Sequence, residues 1–230
     1  MNSPLRVLAQ EIASCESCSR LRKHCREVAV TKRRAYLDWE YWGKPVPAFG
    51  DPHAQVLAIG LAPGAHGANR TGRMFTGDRS GEFLYRALFE TGFASQAESD
   101  SREDGLELRD IYITAAVRCA PPDNKPTPAE FRKCRRYLER ELDLLPRVRV
   151  VVALGRLAFD AYLSILRERG VISSRAPFAF AHNRSFQTAP GQPMLISCYH
   201  PSQQNTSTGK LTREMLRDVF LRARAEIGSR

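Results

Sequence analysis

The chain has 230 residues, 43% of them hydrophobic, with 35 Lys and Arg against 25 Asp and Glu for a formal net charge of +10. This length and apolar content suffice for one substantial core, so a single domain spanning residues 1–230 is expected. They exclude collagen, coiled coil and wholesale disorder, and no apolar run approaches the ~20 residues of a membrane span.

An N-terminal helix is expected first, carrying the pair Cys15-Glu16-Ser17-Cys18. Residues Arg33–Pro52 hold Trp39, Tyr41, Trp42 and Phe49 among three prolines and read as an ordered loop. Four apolar runs read as strands: Gln55–Gly60, Ile111–Val117, Val148–Leu154 and Met194–Cys198. They are near-continuously apolar, as strands covered on both faces must be. Between them, Ser80–Thr91 has Phe83, Leu84, Ala87 and Leu88 at helical spacing, with Gly92 as its stop. The polar stretch Ala94–Glu107 reads as a surface insertion. Thr127-Pro128-Ala129-Glu130 is a capping box with proline at the first helical position, opening a helix to about Leu145. Arg156–Leu166 and Leu211–Ile227 supply two more helices. Strands alternating with helices predict an α/β fold, a three-layer αβα sandwich around a mostly parallel four-stranded sheet.

In such a sheet, ligands bind outside the carboxyl ends of the strands. Three chemically suggestive loops begin there, after Gly60, after Val117 and after Cys198. The first, Gly60–Asp78, is glycine-rich enough for its backbone to approach a ligand closely. It lacks the G-K-[ST] ending of a phosphate-hydrolysing loop and the G-x-G-x-x-G dinucleotide fingerprint. Asp78 stands just before a helix, where it can cap the helix or serve chemistry. Asn124, between prolines, can contact a ligand or simply make a turn. His200 follows a strand and precedes Pro201, which fixes the local backbone. The N-terminus has no apolar signal core, so a cytoplasmic location is expected, where spaced cysteines bind metal more often than they form disulfides. The basic residues concentrate in Arg20–Arg34 and Arg132–Arg140, which fits a polyanionic partner, although a solvated helix face explains the second group equally well.

Three long motifs, GLAPGAHGANRTGRMFTGD (Gly60–Asp78), TAAVRCAPPDNKPTP (Thr114–Pro128) and YHPSQQNTSTG (Tyr199–Gly209), together with CESC and EYWGKPVPAFGD (Glu40–Asp51), resemble the uracil-DNA glycosylase superfamily, family 5 (the B-type enzymes). The resemblance spans nearly the whole chain from Cys15 to the final helix. It implies a monofunctional enzyme that excises uracil, hypoxanthine and xanthine from DNA, leaving an abasic site. It implies no membrane partner, action as a monomer, and association with the nucleoid if the source is a prokaryote.

The same resemblance supplies roles. Phe75 becomes the candidate stacking platform for a flipped base, with Gly60, Leu61, Ala62, Gly64, His66 and Ala115 around it. His200 becomes the donor to the departing base, where negative charge develops. Asp78 becomes the residue that favours the cationic sugar or positions water, and Asn124 a contact to the base or the opposite strand. Ser202 and Asn205 lie in a polar loop that the resemblance presses into the duplex. Sister families place a water-handling polar residue directly after the first glycine, and some place a base-reading asparagine in the second motif. Here those neighbourhoods are Leu61-Ala62-Pro63 and Ala115-Ala116, which fits a broad substrate range.

Cys15, Cys18, Cys119 and Cys134 are the ligands the resemblance implies for a [4Fe–4S] cluster joining the N-terminal segment to the sheet. Spacing alone also admits zinc, a purely structural Cys134, or Cys25 as a rival third ligand. Cys198 reads as a core residue. No lysine occupies a motif position suited to Schiff-base chemistry. Two other functions compete: a non-catalytic metal-cluster module that binds nucleic acid, and a covalent substrate trap. The basic loop that marks the trap is not evident around His182-Asn183-Arg184.

Overall fold

The computed structural model describes residues 3–228. Its N-terminal segment forms two helices rather than one, α1 (Pro4–Ala13) and α2 (Ser19–Thr31), and the break between them holds Cys15 and Cys18. Ser3 starts α1 by accepting the Arg6 N–H on its hydroxyl, with Pro4 in the first turn. Leu8 and Ile12, one turn apart, bury its inner face.

The chain continues through β1 (Phe49–Gly50), β2 (Val56–Gly60), α3 (Ala68–Thr71), α4 (Arg79–Glu90) and β3 (Ile111–Ala115). Then follow α5 (Pro128–Leu144), β4 (Val150–Leu154), α6 (Arg156–Glu168), β5 (Arg184–Gln187), β6 (Met194–Cys198), α7 (Gln203–Ser207) and α8 (Arg213–Gly228). The sheet order is β1-β3-β2-β4-β6-β5. The four central strands are parallel, with Val56 opposite both Ile111 and Val150, and Val152 opposite Ile196.

The expected α/β sandwich is present, but its sheet has six strands rather than four. β1 and β5 are the additions, each antiparallel at an edge. Neither has the apolar signature of a buried strand. β1 is two residues inside a proline-rich stretch, and β5 is polar and mostly exposed. Edge strands of this kind form because a neighbour offers unpaired backbone groups, a condition set by the tertiary fold.

Alternation along each central strand divides the core. Val56, Ala58, Val150, Val152 and Ile196 face α4 and α8, while Leu57, Ile59, Val151, Ala153 and Leu195 face α5 and α6. The capping box of α5 forms in both directions, Glu130 N–H to Thr127 Oγ1 at 3.3 Å and Thr127 N–H to Glu130 Oε2 at 2.7 Å. Among the described residues no helix is long and apolar enough to cross a membrane.

The surface insertion Ala94–Glu107 is anchored to the glycine-rich loop at one buried cation. Arg73, buried in the glycine-rich loop, forks onto Asp104 at 2.7 and 2.6 Å and reaches Ser99 Oγ at 3.0 Å. Ser99 is 1% exposed. A polar segment is held down here because it supplies the counter-charge of a buried cation.

Replacing Asp104 by Ala leaves that guanidinium without its carboxylate. It should cost about 3 kcal/mol of stability, read as a lower urea midpoint. A midpoint unchanged from the parent would show that this pair does not hold the loop.

Candidate functional site

β2, β4 and β6 end side by side, and their loops meet above the sheet. Gly60 closes β2, and the ring of Phe75 lies across it: an added Cβ on Gly60 would stand 2.8 Å from two ring carbons. Phe75 itself has φ +53, a conformation that costs a non-glycine residue free energy unless its surroundings enforce it. Those surroundings are explicit. Tyr85 Oη donates to the Met74 carbonyl at 2.8 Å, and Arg73 Nε donates to Thr76 Oγ1 at 2.8 Å, fixing the residues on both sides.

His200 comes from the end of β6, and its ring centroid is 6.0 Å from that of Phe75, with the planes 32° apart. Asn205 Nδ2 donates to the His200 carbonyl at 2.8 Å. The imidazole makes no hydrogen bond among the described residues. Burial pushes its pKa down to about 4, while part of the residue still meets solvent, so the ring is neutral near pH 7. A neutral imidazole keeps one N–H to donate.

Asp78 does cap α4, accepting the Gly81 N–H on Oδ1 at 3.0 Å. Its other oxygen lies against the backbone of the same loop, where an added Cβ on Gly67 would sit 2.0 Å from Oδ2. Burial raises the pKa of this carboxyl, opposed by the backbone N–H groups of Gly81 and Ser80. Capping and a chemical role are compatible, since only one oxygen is consumed.

The remaining candidates fall into two groups. Leu61 and Ala62 continue from β2 half-buried, and Leu61 accepts the Val117 N–H at 2.9 Å. Ala115 ends β3 buried beside Gly60, its pairing partner. Gly64 turns the loop, its carbonyl accepting the N–H groups of Gly67 and Asn69. His66, by contrast, places Nδ1 3.0 Å from Tyr41 Oη, so one ring nitrogen is already engaged by protein. Asn124 stands exposed in a left-handed turn, φ +56, without a side-chain hydrogen bond among the described residues. The polar Ser202–Lys210 stretch contains a short helix rather than a plain loop. Ser202 caps it through the Asn205 N–H at 3.4 Å.

One residue that composition does not point to is Arg70. It is 3% exposed, with its guanidinium 3.9 Å from the ring centre of Tyr36 and 4.0 Å from that of Trp39. It donates to the His66 and Gly77 carbonyls, joining both halves of the glycine-rich loop. The aromatic cluster in Arg33–Pro52 was its signal, because an aromatic-rich loop needs something to pack on.

A second site lies to one side. Cys15, Cys18, Cys119 and Cys134 line one small cavity, and every cysteine is a free thiol. Cys25 is fully buried behind Cys119, with its thiol 3.6 Å from the Ala120 carbonyl, and does not line the cavity. Cys198 is buried in β6. Among the described residues no three Cys, His, Asp or Glu side chains converge on a single ion. The four thiols that line one cavity are a donor set suited either to zinc or to an iron–sulfur cluster.

The two basic stretches are largely occupied. Arg22 is buried on the Gly43 carbonyl, and Arg20 pairs with Glu130. Arg135 pairs with Glu168, Arg140 with Glu11, and Arg136 donates to Ser17 Oγ. On α5 these cations cross-link the neighbouring helices rather than forming a free phosphate-binding row.

The sequence compares closely with known proteins. Among its relatives, the type-5 uracil-DNA glycosylase of Thermus thermophilus is 51% identical over 96% of this chain and 98% of its own. That of Mycobacterium leprae is 49% identical over 96% and 95%, and that of Pyrobaculum aerophilum 46% identical over 94% and 91%. The family model described as Uracil DNA glycosylase superfamily matches residues 47–224. That span takes in all six strands and the three loops at their carboxyl ends, and the chain belongs to the uracil DNA glycosylase superfamily.

Proposed function

We propose that this protein is a monomeric DNA repair glycosylase. It hydrolyses the N-glycosidic bond of uracil and of other deaminated bases, hypoxanthine and xanthine among them, and leaves an abasic site. The observation that carries the reading is the Phe75 ring, locked at positive φ across Gly60 and 6.0 Å from His200 at the strand ends. A base inside a duplex cannot reach side chains buried this deeply, so the nucleotide must flip out first. Phe75 then offers a stacking face to any base, which supports tolerance of several lesions.

As the bond between base and C1′ breaks, its electron pair leaves with the base and positive charge grows on the sugar. His200, neutral and unencumbered, donates its N–H to the base carbonyl where the negative charge collects. The Asp78 carboxylate favours the sugar cation and positions the water whose oxygen ends on C1′. Leu61, Ala62, Gly64 and Ala115 shape an apolar, permissive wall. His66 and Asn124 act at the margin, Asn124 toward the DNA strands. Ser202 acts chiefly by holding the helix beside the His200 loop, and Asn205 by fixing the His200 backbone. The four cysteines would hold a [4Fe–4S] cluster, which supplies structure by tying α1 and α2 to α5 and the loop after β3 within one domain.

The direct test is single-turnover excision on duplexes containing uracil or hypoxanthine. Strand breakage should appear only after alkali, for both lesions. Tight binding with no abasic product would instead establish a non-catalytic DNA-binding module.

His200→Ala should slow excision about 10²-fold, the usual cost of one donor at a developing anion. A loss below about threefold would remove His200 from the mechanism.

The pH profile follows from the two shifted groups. The low His200 pKa keeps its ring neutral, so no limb should appear near the ordinary histidine value of ~6.5. Asp78, raised by burial, loses its charge earlier on acidification than an ordinary carboxylate does. The single-turnover rate should therefore be flat downward from about pH 8 and fall on the acid side, and Asp78→Asn should move that limb down toward the His200 titration at about 4. An acid limb unchanged in Asp78→Asn assigns it to another group.

A further inference from the structure

Arg118 lies in the wall of the cysteine cavity and is 1% exposed. Its backbone N–H donates to Cys134 Sγ at 3.2 Å, and its carbonyl accepts the Val46 N–H at 2.7 Å. Its side chain is only partly satisfied. Nη2 donates to Glu141 Oε2 at 2.6 Å, while Nε and Nη1 have no partner among the described residues. Glu141, also 1% exposed, shares that same oxygen with Thr114 Oγ1 at 2.6 Å and leaves Oε1 without a partner.

Guanidinium and carboxylate can meet as a two-pronged fork that uses both oxygens and two nitrogens. Here a buried cation keeps two idle donors, an arrangement that costs free energy and calls for a further acceptor. The cavity is also one-sided in charge. Arg22, Arg118 and Lys133 line it, no Asp or Glu does, and Arg136 reaches Cys15 Sγ at 3.8 Å. Four thiolates bound to iron leave net negative charge, and sulfur tuned by hydrogen bonds is one of the protein's levers on such a group.

We propose that Arg118 is a positioning residue for the metal–sulfur group: its spare N–H donors bond sulfur there, and its buried charge offsets that of the thiolates. Glu141 and Thr114 hold the guanidinium in place, and Thr114 is the neighbour of Ala115 at the end of β3. Occupancy of the cavity is thereby linked to the strand end beside Gly60. The inference rests on the reading of the four cysteines as the cluster's ligands.

The test compares the wild-type protein, Arg118→Lys and the double variant Arg118→Met/Glu141→Leu, all purified without oxygen. Iron and acid-labile sulfide per chain, visible absorption, reduction potential and the rate of iron release to a chelator are measured. Apolar replacement of a whole buried ion pair is often neutral for folding, so the double variant should keep a cooperative thermal transition. It should nevertheless release iron about tenfold faster than wild type, with a more negative potential. Arg118→Lys keeps the charge but loses the planar fork and should fall between the two. Wild type purified without iron would overturn the cluster reading and this inference together. Wild type with about four irons per chain, and variants that match it in release rate and potential, would overturn the role of Arg118 alone.

Discussion

The contact between the Phe75 ring and the backbone of Gly60 sets most of the site. Any side chain at the end of β2 would occupy the space the ring fills. The ring in turn reaches this place only because Phe75 adopts φ +53. That conformation is enforced by buried hydrogen bonds from Arg73 and Tyr85, and Arg73 is compensated by Asp104 from a mostly polar segment. A strained aromatic is thus supported by a polar network, the pattern expected where geometry serves chemistry rather than stability.

His200 shows the complementary strategy. Its backbone is fixed by Asn205 and Pro201, but its ring is left without a protein hydrogen bond in surroundings that keep it neutral. A donor that has spent nothing on the protein can spend its full hydrogen bond on developing charge. Phe75 and His200 come from loops more than a hundred residues apart. Parallel pairing of β2 with β4 and of β4 with β6 places their carboxyl ends together.

The cysteine cavity and the strand-end residues around Gly60 share β3. Ala115 ends β3 paired with Gly60, and the following residues Arg118 and Cys119 enter the cavity. The strand-end site and the cysteine cavity therefore depend on one short stretch of chain. The +10 charge of the whole molecule favours association with a polyanion. Much of the basic surface on α5 is nonetheless spent on intramolecular pairs.

The sequence by itself determined the four central strands, because burial on both faces demands unbroken apolar runs. It determined α5 equally well, since Thr127, Pro128 and Glu130 write a start signal within four residues. It also determined which loops follow the carboxyl ends of the strands and, through long motifs, the superfamily. Only the tertiary structure decided the rest. β1 and β5 exist because neighbouring strands offer open edges, and α7 because Ser202 finds a cap position. The order of Ala94–Glu107 comes from one buried cation that needed a carboxylate. Arg118 and Glu141 were invisible as internal residues, since a charged side chain in a sequence reads as surface until its partners, distant in the chain, are brought beside it.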